Sequence, residues 1–545
     1  MKYRFQWNFP LFFSPHDSKK LYTASNHLHV STDEGQSWTL ISPDLTRNDP
    51  SKLGSSGGPI TKDNTSVEYY CTIFAATESP AQEGLIWAGS DDGLLHITKD
   101  GGKNWENVTP SILPEWSMIN SIEAHPTDPA TLYVAATRYK LGDFKPYLLK
   151  TNDYGKTWTS INRGIDDEHF TRVIRMDPDR EGLLYAGTES GLYISFDDGE
   201  SWTAFQGNLP VVPITDMVMK DKNLVVATQG RSIWIIDDLS VIHQAKIGQD
   251  LSQNILFDPM DAYRMRGGQG RKSLTNGQNH KGGVSVNYFL GNLTDSSIVK
   301  LRFMDQEGDL IKEFASDAKE KGSKLEVEEG ANVFNWNLRY DGGKDFDGMI
   351  LWWASLQGPR AVPGTYQVEL DVDGVVQEQR FELINDPRVE ASQEELVEQF
   401  DFLNEILEEV SAAHEAIIDI RSVRKQLNAY KARISDKEEM HAIVEQIDDI
   451  NKRMKAVEEN LYQTKNRSRQ DPLNFPIRLT NKLAHLNSLV GGSDFAPTDQ
   501  AVAVKEELSA AIKVELDAFE AIKAKDIKAL NAAISAAKID AILVD

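Results

Sequence analysis

One short pattern punctuates the chain four times. Ser31-Thr-Asp33-Glu-Gly35-Gln-Ser37-Trp38 returns as Thr98-Lys-Asp100-Gly-Gly102-Lys-Asn104-Trp105, as Thr151-Asn-Asp153-Tyr-Gly155-Lys-Thr157-Trp158 and as Ser195-Phe-Asp197-Asp-Gly199-Glu-Ser201-Trp202. The tryptophans are 67, 53 and 44 residues apart, so a common unit carries loops of different length. Before each turn runs a pair of short apolar segments: KLYTASNHLHVS, LIWAGSDDGLLHIT, LYVAATRYK…YLLKT and LLYAGTESGLYIS. A fifth pair, NLVVATQGRSIWIIDD, lacks the acidic turn. Alternation and β-branched or aromatic residues mark these segments as strands. Further strands precede the pairs (MINSIEAHP, TRVIRMDP, ITDMVMKD), and one follows each turn, as in WTLIS. Four short antiparallel strands repeated about five times predict a β-propeller, because radial stacking of small sheets shelters their edges.

In such a turn the aspartate accepts from backbone N–H groups, the glycine takes positive φ and the tryptophan fills the groove between sheets. An EF-hand loop needs twelve residues, more oxygen ligands and a terminal glutamate, which these turns lack. Catalysis needs one special constellation, not four interchangeable ones. The turns therefore read as scaffold.

The motif resembles the Asp-box, or bacterial-neuraminidase (BNR) repeat, of sialidases, sortilin ectodomains and two-propeller xyloglucan-cleaving hydrolases. Over most of its length the chain resembles the C-terminal half of large bacterial sortilin-like proteins labelled glycosyl hydrolase. The resembling stretches are YRFQWNFP, SSGGPITKDNTSVEYY, GLIWAGSDDGL, YVAATRYKLGDFKPYL, LLYAGTESGLYISFDDGESW and LYQTKNRSRQDPLNFPIR. The resemblance implies blades upstream of those seen, hence an incomplete propeller that needs more chain, from a companion polypeptide, the other product of a split gene or a longer form of this chain. It also implies a secreted, periplasmic or cell-surface place in a bacterium. The opening MKYRFQWNFPLFF has no long apolar core or small-residue cleavage site, which leaves the cytoplasm open.

A net charge of −25 disfavours sequence-independent nucleic-acid binding. No run of 18 apolar residues predicts a membrane span. Cys71, the single cysteine, excludes an internal disulfide framework. No cofactor, nucleotide or metal-ligand pattern is legible.

Site candidates come from loops at equivalent places in unlike blades. The tight loops offer Asn26 and His27, then Asp91 and Asp92, then Arg138, Tyr139 and Lys140, then Glu189, and last Gln229 and Arg231. The insertion Ser55–Cys71 adds Asp63, Glu68 and Tyr70, and later leading strands add Arg172 and Asp216. Ordinary solvated turns are the plainer reading of all of them. Glycoside hydrolysis needs two carboxyl groups across a cleft, about 5–5.5 Å apart for retention or 6.5–9.5 Å for inversion. Asp63, Glu68, Asp91, Asp92, Glu189 and Asp216 are the acidic candidates, and no spacing singles out a pair. The sialidase pattern of an arginine cluster with a tyrosine nucleophile is not reproduced by Arg138, Arg172 and Tyr70.

The back half differs. Residues 243–254 read as a connector after the blades of 1–242. From 255 to 387 the segments GGVSVNYFL, VKLRFMDQEG, NVFNWNLRYDG, GTYQVELDVDG and QEQRFELIND predict an Ig-like β-sandwich with Trp336 as core anchor. Trp352 and Trp353 offer either a binding platform or local packing. From 388 to 545 the pattern turns helical: a hairpin headed by Ser392 and Ser435 as capping boxes, then helices over roughly 478–490, 499–520 and 524–541. The expectation is thus a multidomain, mainly β protein: Asp-box β-propeller, Ig-like sandwich and C-terminal helical bundle. The leading functional expectation is a non-catalytic binding or assembly protein for peptide, protein or polysaccharide. The alternative is a glycoside hydrolase of the Asp-box propeller type using a carboxylate pair.

Overall fold

The computed structural model describes residues 2–63, 67–265, 277–279, 281–320 and 322–537. The chain forms two compact units, Met1–Gln249 and Asp250–Asp545.

In the first unit five antiparallel sheets follow one another along the chain. Strands β1 (Leu11–Phe13), β2 (Leu21–Ala24), β3 (Leu28–Ser31) and β4 (Thr39–Leu40) make the first sheet. After a two-stranded ribbon, β5 (Ser56–Gly57) and β6 (Lys62–Asp63), the second holds β7 (Ile73–Glu78), β8 (Ile86–Ser90), β9 (Leu95–Thr98) and β10 (Glu106–Asn107). The third holds β11 (Met118–Ala124), β12 (Leu132–Arg138), β13 (Asp143–Thr151) and β14 (Thr159–Ser160). The fourth holds β15 (Thr171–Met176), β16 (Leu184–Thr188), β17 (Gly191–Ser195) and β18 (Thr203–Ala204). The fifth has three strands, β19 (Ile214–Lys220), β20 (Asn223–Thr228) and β21 (Ile233–Ile236), followed by the short helix α1 (Ser240–Gln244). Its missing fourth strand matches its missing acidic turn.

The repeated turns brace themselves. In the first, Ser37 donates to Asp33 through its backbone N (2.9 Å) and its hydroxyl (2.6 Å), and Gly35 N donates to Ser31 Oγ at 2.9 Å. Asp100, Asp153 and Asp197 accept from Asn104, Thr157 and Ser201 in the same way. Bonds from the residue four places along hold the Asp33, Asp100 and Asp153 carboxyls down at about 2. Trp105, Trp158 and Trp202 then reach the sheet before their own, donating from Nε1 to the carbonyls of Ile41 (2.9 Å), Val108 (3.0 Å) and Ile161 (2.5 Å). The glycines make that approach possible. A Cβ on Gly102, Gly155 or Gly199 would meet Ile41 O at 2.4 Å, Val108 Cβ at 2.7 Å or Ile161 Cδ1 at 2.8 Å. Trp38 and Gly35 face no such sheet, and Trp38 is 41% exposed against 4% for Trp202.

In the second to fifth sheets the pairing of the first two strands skips one residue on the leading strand: Phe74, Asn120, Arg172 and Thr215. Such a bulge re-aims the extra side chain. All four line a cavity of about 520 Å³ bordered by β1, β7, β11, β15 and β19, around which the sheets curl partway.

The second unit combines two sheets with helices. Strands β22 (Ile255–Leu256), β24 (Val284–Leu290) and β27 (Gly330–Trp336) form one sheet. Strands β23 (Ala262–Arg264), β25 (Val299–Met304), β26 (Leu310–Ala315), β28 (Gly364–Val372) and β29 (Val375–Asn385) form the other, with β23 parallel to β29. Their inward residues share one core in which Trp336 is wholly buried and stacks on Phe303 at 4.7 Å. Trp353 stays 76% exposed, while the backbone of Trp352 is held from both sides by Asn481.

Helix α2 (Gln393–Ile434) opens with the expected capping box: Ser392 Oγ accepts from Glu395 N, and Glu395 returns the bond. Ser435 does not head the next helix. It closes α2, whose buried apolar residues continue to Ile434, and α3 (His441–Leu461) starts after a 3-10 turn with no side-chain cap. Helices α4 (Leu479–Val490), α5 (Asp499–Ala521) and α6 (Lys528–Ala536) complete the C-terminal helical bundle around Ile406, Val410, Ile447, Met454, Leu483 and Phe519. Among the described residues no helix is long and apolar enough to cross a membrane.

Candidate active site

Strand pairing fixes which loops meet. Ile73 pairs with Ser90, Met118 with Thr137, and Thr171 with Thr188, so each β-turn between second and third strands lies beside the segment entering its leading strand. In the second, fourth and fifth sheets a backbone bond ties the two: Asp91 N to Thr72 O at 2.9 Å, Glu189 N to Phe170 O at 3.0 Å and Gln229 N to Pro213 O at 2.9 Å. The acidic turns connect the third strands to the fourth, at the other end of each sheet.

At the loop end Tyr70, Asp91, Arg138 and Tyr139 line a depression of about 450 Å³, with Lys52, Trp116 and Lys140. An adjoining hollow of about 290 Å³ shares Tyr70, Asp91, Tyr139 and Lys140 and adds Arg172. Aromatic faces dominate the walls. Tyr70 stacks on Trp116 (centroids 6.3 Å, 23° between planes), and Tyr139 stacks on Phe170 (4.8 Å, 13°). Cys71 and Trp116 both carry left-handed backbone, at φ 62° and 64°. Such conformations store strain that surrounding structure must hold in place.

Asp91 is the chemically distinct group. Its carboxyl is 5% exposed, and burial pushes it up to about 7 although Thr72 donates to it from N (2.8 Å) and from Oγ1 (2.9 Å). The neighbouring Asp92 charge adds to the rise and Lys140 opposes it. A carboxyl that keeps its proton near neutrality can serve as a general acid. Burial, then the charges of Asp91 and Asp92, also push up the Tyr70 hydroxyl, so the phenol stays protonated.

The other sequence candidates disperse. Asp92 is fully buried and structural in its bonds, accepting from Arg47 N at 2.8 Å and from Ser90 Oγ at 2.5 Å. Glu189 accepts from Arg172 Nε at 2.6 Å, and Arg172 in turn lies over the Tyr139 and Phe170 rings. Asp216 accepts from Arg175 Nη2 at 2.7 Å in the 520 Å³ cavity, where Arg175 also approaches Glu123 at 3.6 Å. Glu68 accepts from Trp7 Nε1 at 3.2 Å at the surface. Arg231 is exposed and bonds only locally, to Gly230 O at 3.0 Å. Asp63 ends β6, and its side chain lies outside the described residues, as do residues 64–66 of the same insertion.

Sequence reasoning passed over Lys52, Trp116 and Phe170. The available signal was position: Trp116 and Phe170 precede leading strands as Tyr70 does. It also missed a cluster at the acidic-turn end. Asp177, Asp179 and His243 bring one ligand atom each to within 4.8 Å of one another. Asp177 is buried, meets His243 Nε2 at 2.9 Å through Oδ2, and accepts from Asp179 N at 2.9 Å through Oδ1. Sixty-odd residues separate the partners, and α1 lies where the sequence reads as connector.

No protein-family profile matches the chain. A curated protein of Neosartorya fischeri, a probable oligoxyloglucan-reducing end-specific xyloglucanase, is 26% identical over a stretch that covers 24% of this chain and 23% of its own length. The chain thus spans less than a quarter of that relative. Among solved structures, the GH74 xyloglucanase of Xanthomonas campestris aligns at a TM-score of 0.31 and 14% identity, covering 41% of this chain and 35% of its own. An ancestral GH74 enzyme aligns at 0.30 and 14%, covering 69% and 46%. The similarity is weak and partial, it is to GH74-type xyloglucanases, and it does not single out the sortilin-like group.

These findings correct the expectation of a non-catalytic binding or assembly protein. The curated relative is named for an enzyme, and the described residues hold a carboxylate–histidine cluster of the kind that expectation left no room for.

Proposed function

We propose that the chain belongs to a glycoside hydrolase of the Asp-box propeller type, acting at the depression that holds Asp91. The observation that carries this reading is a buried carboxyl raised to about 7 in the wall of an aromatic-lined hollow. Apolar ring faces suit the C–H faces of pyranose rings, and a protonated acid suits a glycosidic oxygen. In the proposed reaction Asp91 gives its proton to the leaving oxygen as the C1–O bond breaks. Water adds to C1, and a second carboxylate takes the water's proton. Glu189 is our candidate for that carboxylate: it does not itself line the hollow, but its partner Arg172 does, together with Asp91.

The finer architecture is part of the proposal: five sheets as blades of a propeller, then an Ig-like sandwich, with further blades from a companion polypeptide and a place outside the bacterial cytoplasm. In support, Trp38 meets no carbonyl among the described residues, and Leu11 and Phe13 on the first strand of its sheet are 61% and 62% exposed. Val218, Ile233 and Ile235 leave the fifth sheet similarly bare.

The test is reducing-end release from xyloglucan and from other soluble plant or bacterial polysaccharides by wild type, Asp91→Asn and Glu189→Gln. Each substitution should lower kcat by about 10²–10⁴-fold with unchanged far-ultraviolet dichroism. Cleavage that survives both substitutions would move the chemistry elsewhere, with the Asp177–His243 cluster next in line.

A further inference from the structure

The same depression has a charge that the chain as a whole does not. Aspartate and glutamate outnumber lysine and arginine 83 to 58. Yet the lining of the 450 Å³ hollow holds Lys52, Arg138 and Lys140 against one acid, Asp91. Arg138 has a countercharge in Asp143 at 3.4 Å. Lys52 acts electrostatically on Asp49 and Lys140 on Asp91, and neither lysine is bound to a carboxylate as closely as Arg138 is to Asp143. Lys140 sits on the loop that follows β12 and lines both hollows, while Lys52 lies 5.8 Å from the Trp116 ring centre. Asp91, raised to about 7, is only partly ionised at neutral pH, so one acid faces three basic side chains in this lining.

Two cations beside stacked aromatic rings define a ligand with one flat apolar face and one anionic edge. We infer that the depression selects an acidic saccharide, in which a hexuronic acid ring lies against Tyr70, Trp116 or Tyr139 and its carboxylate is held by Lys52 and Lys140. The inference rests on the glycan-directed reading of this site and adds the substrate class. A neutral glucan offers the lysines nothing to bind, and desolvating them without a partner costs affinity.

Titration calorimetry on the full chain tests it, with Asp91→Asn protein used to prevent turnover. The ligands are trigalacturonate and the neutral trisaccharide cellotriose. The acidic sugar should bind at least ten-fold more tightly at low salt and lose most of that advantage in half-molar salt, since screening acts on the lysine contacts. The double variant Lys52→Gln, Lys140→Gln should lose ten-fold or more in affinity for trigalacturonate and none for cellotriose. Both lysines are exposed, so the variant keeps its fold. Equal affinities, salt-independent preference, an indifferent double variant or no binding of either sugar would each overturn the inference. Acidic-sugar binding without cleavage of any polysaccharide would sink the hydrolase reading alone. Cleavage of a neutral glucan with no acidic preference would sink this inference alone.

Discussion

Asp91 ties reactivity and stability to a single proton. Its carboxyl is raised from an ordinary 3.8 to about 7, chiefly by burial, so the folded state holds the proton more tightly than the unfolded chain. The contribution to stability is complete below about pH 4 and is lost as pH rises through about 7. Three units correspond to roughly 4 kcal/mol as an upper figure. The wild-type thermal midpoint should therefore decline between pH 5 and pH 8, and Asp91→Asn should remove part of that decline, since burial raises Glu123 to about 7 as well. A variant with the same slope as wild type would place the titrating group elsewhere. Catalysis carries the same sign: an acid must be protonated, so kcat should decay above about pH 7 and rise toward lower pH. No feature of the local sequence SDDG separates Asp91 from Asp92. What raises Asp91 is burial, which outweighs the two bonds that Thr72 brings to it from another part of the chain.

At the scale of the element, the acidic turns are sheet-to-sheet fasteners, and the first of them has nothing to fasten to. Trp202→Ala removes a buried ring and its bond to Ile161, and should cost about 3–5 kcal/mol in chemical denaturation. Trp38→Ala should cost well under 1 kcal/mol in this chain, since its ring is largely in solvent. The glycines divide in the same way. Gly155→Ala forces a Cβ onto Val108 and should destabilise by about 1–3 kcal/mol more than Gly35→Ala, where only the backbone conformation is strained. Equal effects at the first and later turns would mean that the sheet contacts contribute little. Much of this level was legible: the strand pairs, the turns and the capping box at Ser392 follow from local patterning. The end of α2 was not: the pattern Ser435-x-x-Glu438 reads locally as a helix start, while burial of Leu427 and Ile434 in the bundle core makes Ser435 the close of α2.

At the scale of the whole molecule, a charge of −25 surrounds a locally cationic hollow. Long-range repulsion should keep the chain from shifting DNA in a gel at physiological salt, and a shift would show that a basic surface outweighs the net field. The bare faces of the first and fifth sheets make a second expectation. If companion blades complete the ring, acrylamide should quench Trp38 freely in the isolated chain and poorly in the complete assembly.

The sequence by itself determined the repeat, the five sets of strands, the change to a second β region and the helical end. These depend on spacing, alternation and turn chemistry, which act over a few residues and leave a local signature. It also placed Asp91, Arg138 and Tyr139 among the candidates, because equivalent loops of a repeat must emerge at equivalent positions, and Tyr70 through the long insertion Ser55–Cys71. Only the tertiary structure decided that burial raises the Asp91 carboxyl, that Trp116 and Lys52 share its hollow, and that His243 meets Asp177. Burial and countercharge are properties of what surrounds a residue in space, and those surroundings come from segments tens of residues away.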